Sequence, residues 1–155
     1  MKKKSENIIK AWVDSLPKGS CSSTKDSSIK FEERKSKITF GNKSNKMCLK
    51  IDVDGGVVPS AEKTLRCDKL LVEKSKPLFC FIELKGNDIE HAIKQLESSL
   101  KDARLNPSCS QQKLAFVVGK NHSPISSPLI QKRIKSFKGL NAELIIKNTP
   151  ATYPL

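Results

Sequence analysis

Arginine is scarce in this sequence: 25 of its 29 basic residues are lysine. Arginine is the usual reader of base edges, so the charge is better suited to holding phosphates than to reading a base sequence. Histidine is confined to His91 and His122, and the cysteines, Cys21, Cys48, Cys67, Cys80 and Cys109, include no C-x-x-C pair. A structural zinc site is thereby disfavoured, and an odd, widely spaced set of thiols argues against a disulfide framework. No stretch approaches the ~18 uninterrupted apolar residues of a membrane span. Met1–Lys4 has the charge of a signal-peptide start, but Lys10 and Asp14 break the apolar run behind it and no small-residue cleavage site follows. The expectation is a cytoplasmic protein with no membrane partner.

Positive charge is abundant. Lys+Arg number 29 against 16 Asp+Glu, a net charge of +13 over 155 residues. Such a balance is the footprint of a polyanion partner, most often nucleic acid, with solubility as the plain competing explanation. The length suits one domain over residues 1–155, large enough for a core without staples and too short for a TIM barrel.

Periodicity sets the expected elements. Ile8, Ile9, Trp12, Val13 and Leu16 recur at helical spacing, which predicts a helix of about 12 residues capped by Ser5 and stopped by Pro17 and Gly19. Residues 18–28, rich in Ser and Lys, read as a loop. Strand patterns follow over 29–58, with Met47, Leu49, Ile51 and Val53 on one face, and then over Arg66–Val72 and Leu78–Leu84. Asn87 with Glu90 suggests a cap for a helix carrying Ile89, Ala92, Ile93, Leu96, Leu100 and Ala103, closed by Asn106-Pro107. Lys113–Gly119 reads as a buried strand. Ser127-Pro128 opens a third helix with Leu129, Ile130, Ile134 and Phe137 inward; Glu143–Lys147 reads as a last strand, and 149–155 as a loose tail. The fold class is α/β: a central mixed sheet in the order αβββαβ plus a C-terminal helix and strand, with helices on both faces.

One constellation carries chemistry. Glu83 and Lys85 share a strand face at the end of an otherwise apolar strand, where burying two charges incurs desolvation that a strand without a task would avoid. If Arg66–Val72 and Leu78–Leu84 form an antiparallel hairpin through Glu73–Pro77, Asp68 falls beside Glu83. Two carboxylates suit Mg²⁺ or Mn²⁺, with water and phosphate completing the coordination, and a neighbouring lysine can orient the attacking water and hold the scissile phosphate. The plain readings are an ion pair for Glu83 and Lys85 and a turn residue for Asp68.

Asp68…Glu83-Leu84-Lys85, on adjacent strands followed by a helix, resembles the signature of the PD-(D/E)XK nuclease superfamily, which includes restriction endonucleases and Holliday-junction resolvases. The resemblance spans about Ser5 to Gly119 and departs from the pattern at Cys67, which stands where the family name has proline. It implies a restriction-endonuclease-like core, metal ligation by Asp68, Glu83 and the Leu84 carbonyl, and Lys85 as the catalytic lysine. Gln95 lies in a place matching a glutamine that some members add from the following helix, and Glu6 is the nearest candidate for the acid that others add from the first helix. Asp54 becomes a further candidate if its strand borders that of Asp68, whereas Glu32 and Glu33 read as surface charges. Lys132, Arg133, Lys135 and Lys138 form a basic cluster on the third helix, a candidate phosphate-binding face. The expectation is a Mg²⁺- or Mn²⁺-dependent endonuclease acting on DNA, with a homodimer or a larger DNA-processing complex as its expected assembly. The alternative is a non-catalytic nucleic-acid-binding or protein-interaction subunit with a nuclease-like fold.

Overall fold

The computed structural model describes residues 2–84, 88–109, 111–120 and 127–155. The first helix, α1, runs Lys2–Ser15 and buries Ile9 and Trp12. It starts a turn earlier than expected, so Ser5 lies inside it and not at its cap; Lys2–Lys4 are straight-chain helix formers that extend it. Residues 18–28, expected as a loop, contain a short strand, β1 (Cys21–Thr24). Its CSST sequence has no apolar alternation to reveal it, because an edge strand needs pairing on one side only.

The strands β2 (Ser28–Glu33) and β3 (Ser36–Gly41) form a hairpin, followed by β4 (Cys48–Asp52), β5 (Lys69–Glu73) and β6 (Leu78–Leu84). Helix α2 (Ile89–Lys101) is capped by Asp88, whose side chain accepts the His91 N–H, rather than by the expected Asn87, which lies outside the described residues. It ends before Asn106-Pro107, where Asp102 starts a 3₁₀ turn over Ala103–Leu105. Then come β7 (Gln112–Gly119), α3 (Pro128–Lys138), capped by Ser127 as expected, β8 (Ala142–Asn148) and β9 (Ala151–Pro154).

The fold is α/β, with a mixed six-stranded sheet in the order β1-β4-β5-β6-β7-β8 and a second sheet β2-β3-β9. β1, β4, β5 and β6 pair antiparallel; β6, β7 and β8 pair parallel. β5, β6 and β7 are central and apolar on both faces, as their sequences require.

The helices do not flank the sheet on both faces. Ile9 and Trp12 of α1, Ile93 and Leu96 of α2, and Ile130 and Phe137 of α3 share one core with Phe79, Phe81, Ala115 and Val117. The other face carries the small sheet, whose Ile29, Phe31, Ile38 and Phe40 pack on Cys80, Ile82, Phe116 and Val118. Parallel crossovers are right-handed, so β6–α2–β7 and β7–α3–β8, stepping the same way across the sheet, place both helices on one side.

The tail is also not loose. β9 pairs parallel with β3, and Tyr153 packs edge-on to Phe116 with centroids 5.0 Å apart. Pro150 and Pro154 hid this strand, since proline is tolerated at a sheet edge. Met47 and Leu129, expected inward, are exposed because they lie just outside β4 and on the outer face of α3. Among the described residues, no helix is long and apolar enough to cross a membrane.

Candidate active site

The β5–β6 hairpin brings Asp68 and Glu83 together. Lys69 stands opposite Ile82, so Asp68, one residue before β5, arrives beside Glu83 near the end of β6. The Asp68 N–H donates to the Ile82 carbonyl at 3.1 Å, and its Oδ2 accepts the Leu84 N–H at 2.8 Å. The first bond fixes the Asp68 backbone against β6, and the second fixes its carboxyl. Both acids are nearly removed from water, at 8% exposure for Asp68 and 1% for Glu83.

Two other acids line the same cavity as Asp68: Glu83 across the hairpin and Glu33 at the end of β2. Burial pushes the Asp68 carboxyl up to about 6, and the Glu33 charge adds to that rise, while the Leu84 N–H opposes it by favouring the ionised form. Neutral pH therefore holds negative charge in a place that resists it, which is the condition a cation relieves.

Cys67 shows how the sequence accommodates its departure from the proline pattern. Proline has no N–H, whereas Cys67 has one, and the buried Ser99 hydroxyl of α2 accepts it at 2.9 Å. Burial pushes the Cys67 thiol up to about 12, so it serves as packing and not as a nucleophile.

A cavity of about 410 Å³ opens over the acids, lined by Glu33, Asp54, Asp68, Glu83, Leu84 and Gln95 together with Arg34–Ser36 at the β2–β3 turn. Its walls come from both layers: α2 supplies Gln95 and the small sheet supplies Glu33. The Gln95 Nε2 donates to the Arg66 carbonyl at 3.1 Å, while its Oε1 is buried with no partner. Asp54 reaches the cavity through backbone continuity, its N–H donating to the Asp68 carbonyl at 3.3 Å. Its carboxylate takes a 2.9 Å ion pair from Arg66.

The structure therefore brings together Asp68, Glu83, Leu84, Gln95 and Asp54. Lys85 lies outside the described residues. Glu6 does not join them: it lines a cavity with Lys74 and Pro77 at the hairpin end of β6, about 20 Å from Glu83 at ~3.3 Å per strand residue. On α3, Lys132, Lys135 and Lys138 are exposed, but Arg133 reaches across to α2, 3.3 Å from Glu90 and 3.8 Å from Glu97. Glu33 is exposed, as a surface charge should be, and it also lines the cavity. The signal for the cavity was parity: Glu33 continues the Ile29–Phe31 register to the end of β2, where the strand leaves the packed layer and the side chain is exposed.

Among the described residues, no three His, Cys, Asp or Glu side chains are grouped to hold an ion by themselves. The Asp68–Glu83 pair still fits a hard divalent cation. Mg²⁺ commonly takes one or two carboxylates and leaves its other positions to water and phosphate oxygens. The chain matches no family model, no curated protein and no solved structure.

Proposed function

We propose that this protein is a divalent-cation-dependent nuclease with a restriction-endonuclease-like core, cutting DNA phosphodiester bonds at the Asp68–Glu83 pair. The observation that carries the reading is two carboxyl groups, at 8% and 1% exposure, meeting at the mouth of a cavity on adjacent antiparallel strands that lead into a helix. A site with no task would have little reason to retain them there.

Asp68 and Glu83 would hold Mg²⁺ or Mn²⁺, with the Leu84 carbonyl as a further ligand. The cation, when bound, supplies positive charge against the phosphate oxygens and makes water more acidic. The protein's own part is positional. Leu84 N–H keeps one Asp68 oxygen fixed, and Gln95 lines the cavity wall, tied by its Nε2 to the Arg66 carbonyl. Lys85 orients the attacking water and the scissile phosphate. Water oxygen bonds to phosphorus and releases one proton to solvent as one P–O ester bond breaks, and the departing sugar oxygen takes a proton from solvent, leaving a phosphomonoester and a hydroxyl.

Cleavage of plasmid and branched DNA in Mg²⁺ or Mn²⁺ tests this. Asp68→Asn, Glu83→Gln and Lys85→Ala should each lower the rate on the order of 10²-fold or more. Equal activity in all four proteins overturns the assignment. Salt-sensitive DNA binding with no cleavage in the wild type favours the non-catalytic binding subunit instead.

A further inference from the structure

The acidic cavity opens into a longer groove. Asp54 is shared with a neighbouring cavity of about 290 Å³ whose walls carry Lys18 and Lys69 above Gly19, Ser20, Gly55 and Gly56. Lys69, Gly19 and Ser20 in turn line a third, of about 300 Å³, with Lys30 and Lys50. The three cavities run from Asp68 along the β5–β4–β1 edge of the main sheet, on ground that the α3 cluster does not touch.

Of its three acids, Asp52 pairs with Lys69 at 2.8 Å and Asp54 with Arg66, while Glu32 stands exposed beside Lys30 and is outnumbered by the lysines. Lys18, Lys30 and Lys50 have no carboxylate partner among the described residues. Lys50 is held in place, its Nζ donating to the Lys30 carbonyl at 3.2 Å and lying 5.0 Å from the Phe31 ring centre. Small residues on the floor let a bulky chain approach, and lysines on the walls meet phosphates as point charges.

We propose that this groove is a track for the sugar–phosphate backbone of duplex nucleic acid, leading one strand to Asp68 and Glu83. That a phosphodiester belongs at those acids rests on the nuclease reading above. The preference for duplex comes from the aromatic side chains. All six Phe and Trp12 are buried, and Tyr153 packs against Phe40 and Phe116. Single-strand binders stack unpaired bases on exposed rings, whereas a duplex keeps its base faces stacked inside and needs no such rings.

The test is fluorescence anisotropy across a salt series, in EDTA so that nothing is cut, with a duplex of about two helical turns and its single strand. Lys18→Gln/Lys30→Gln/Lys50→Gln should weaken duplex binding roughly tenfold or more and flatten the log–log salt slope by about 2 to 3. Lys132→Gln/Lys135→Gln/Lys138→Gln on α3 removes the same charge and should cost less than about threefold, and the single strand should bind about tenfold more weakly than the duplex. Lys18→Gln/Lys30→Gln, which touches exposed side chains alone, gives the same direction should the triple variant misfold. Equal losses from the two triple variants, or single strand bound as tightly as duplex, overturns the track. Groove-dependent binding by a wild type that never cuts supports the track while removing the nuclease reading. Intact cutting with groove-independent binding does the reverse.

Discussion

Asp68 carries the cost of the site. Its carboxyl is pushed from 3.8 to about 6 in the folded state, chiefly by burial, so the native protein binds that proton more tightly than the unfolded chain does. The stabilisation from the protonated form is complete below the unfolded value and is lost as pH rises through about 6, a loss of about 2–3 kcal/mol. Asp68→Asn, which keeps an acceptor for Leu84 N–H, should therefore unfold at a higher temperature than wild type at pH 7.5 in EDTA, by roughly 4–8 °C. The difference should vanish near pH 4; calorimetry across pH 4–8 checks it, and a variant that melts lower throughout contradicts the burial argument. Ser99 offers a second residue-scale test. Ser99→Ala orphans the Cys67 N–H beside the site and should cost about 1–3 kcal/mol in urea unfolding. Nothing in the sequence ties Ser99 to Cys67, because that hydrogen bond is a meeting of α2 with the entrance to β5.

At the scale of elements, legibility followed apolar pattern. β6 begins and ends where its run of Leu, Phe, Cys and Ile does, the β5–β6 hairpin pairs through the expected turn, and Ser127-Pro128 caps α3. These local signals were enough to bring Asp68 to Glu83. β1 and β9 escaped because each is short, edge-placed and polar or proline-bearing. The side of the sheet taken by the helices escaped for a different reason: periodicity says that a helix buries a face, and connection handedness decides which layer receives it. A docked β9 has a measurable consequence. Tyr153→Ala removes a ring packed 5.0 Å from Phe116 and 6.2 Å from Phe40, and should cost about 1–2 kcal/mol. An unchanged melting temperature would mean that the ring contributes nothing.

Over the whole molecule, the net charge of +13 is not spread evenly with respect to the site. Four carboxylates line the cavity where a cation would sit, while lysines line the groove that continues from it. Binding of a cation at the acids should stabilise the entire fold by mass action, about 2.7 kcal/mol at a hundredfold excess over Kd. Thermal melts in Mg²⁺ or Ca²⁺ should rise by roughly 5–10 °C for wild type and stay level for Glu83→Gln. An equal rise in both proteins would place the ion elsewhere.

The union of β3 with β9 has a temporal meaning. It joins parts of the chain 112 residues apart, as where the Lys37 N–H meets Thr149 Oγ1, and closing so wide a loop is entropically slow. β3 is hairpin partner to β2, and β2 ends in Glu33, which lines the same cavity as Asp68. During synthesis on the ribosome, the wall that carries Glu33 lacks its third strand until residues 151–154 have been added. The hairpin of Asp68 and Glu83 is translated long before that, so this centre would mature only after its own strands are made.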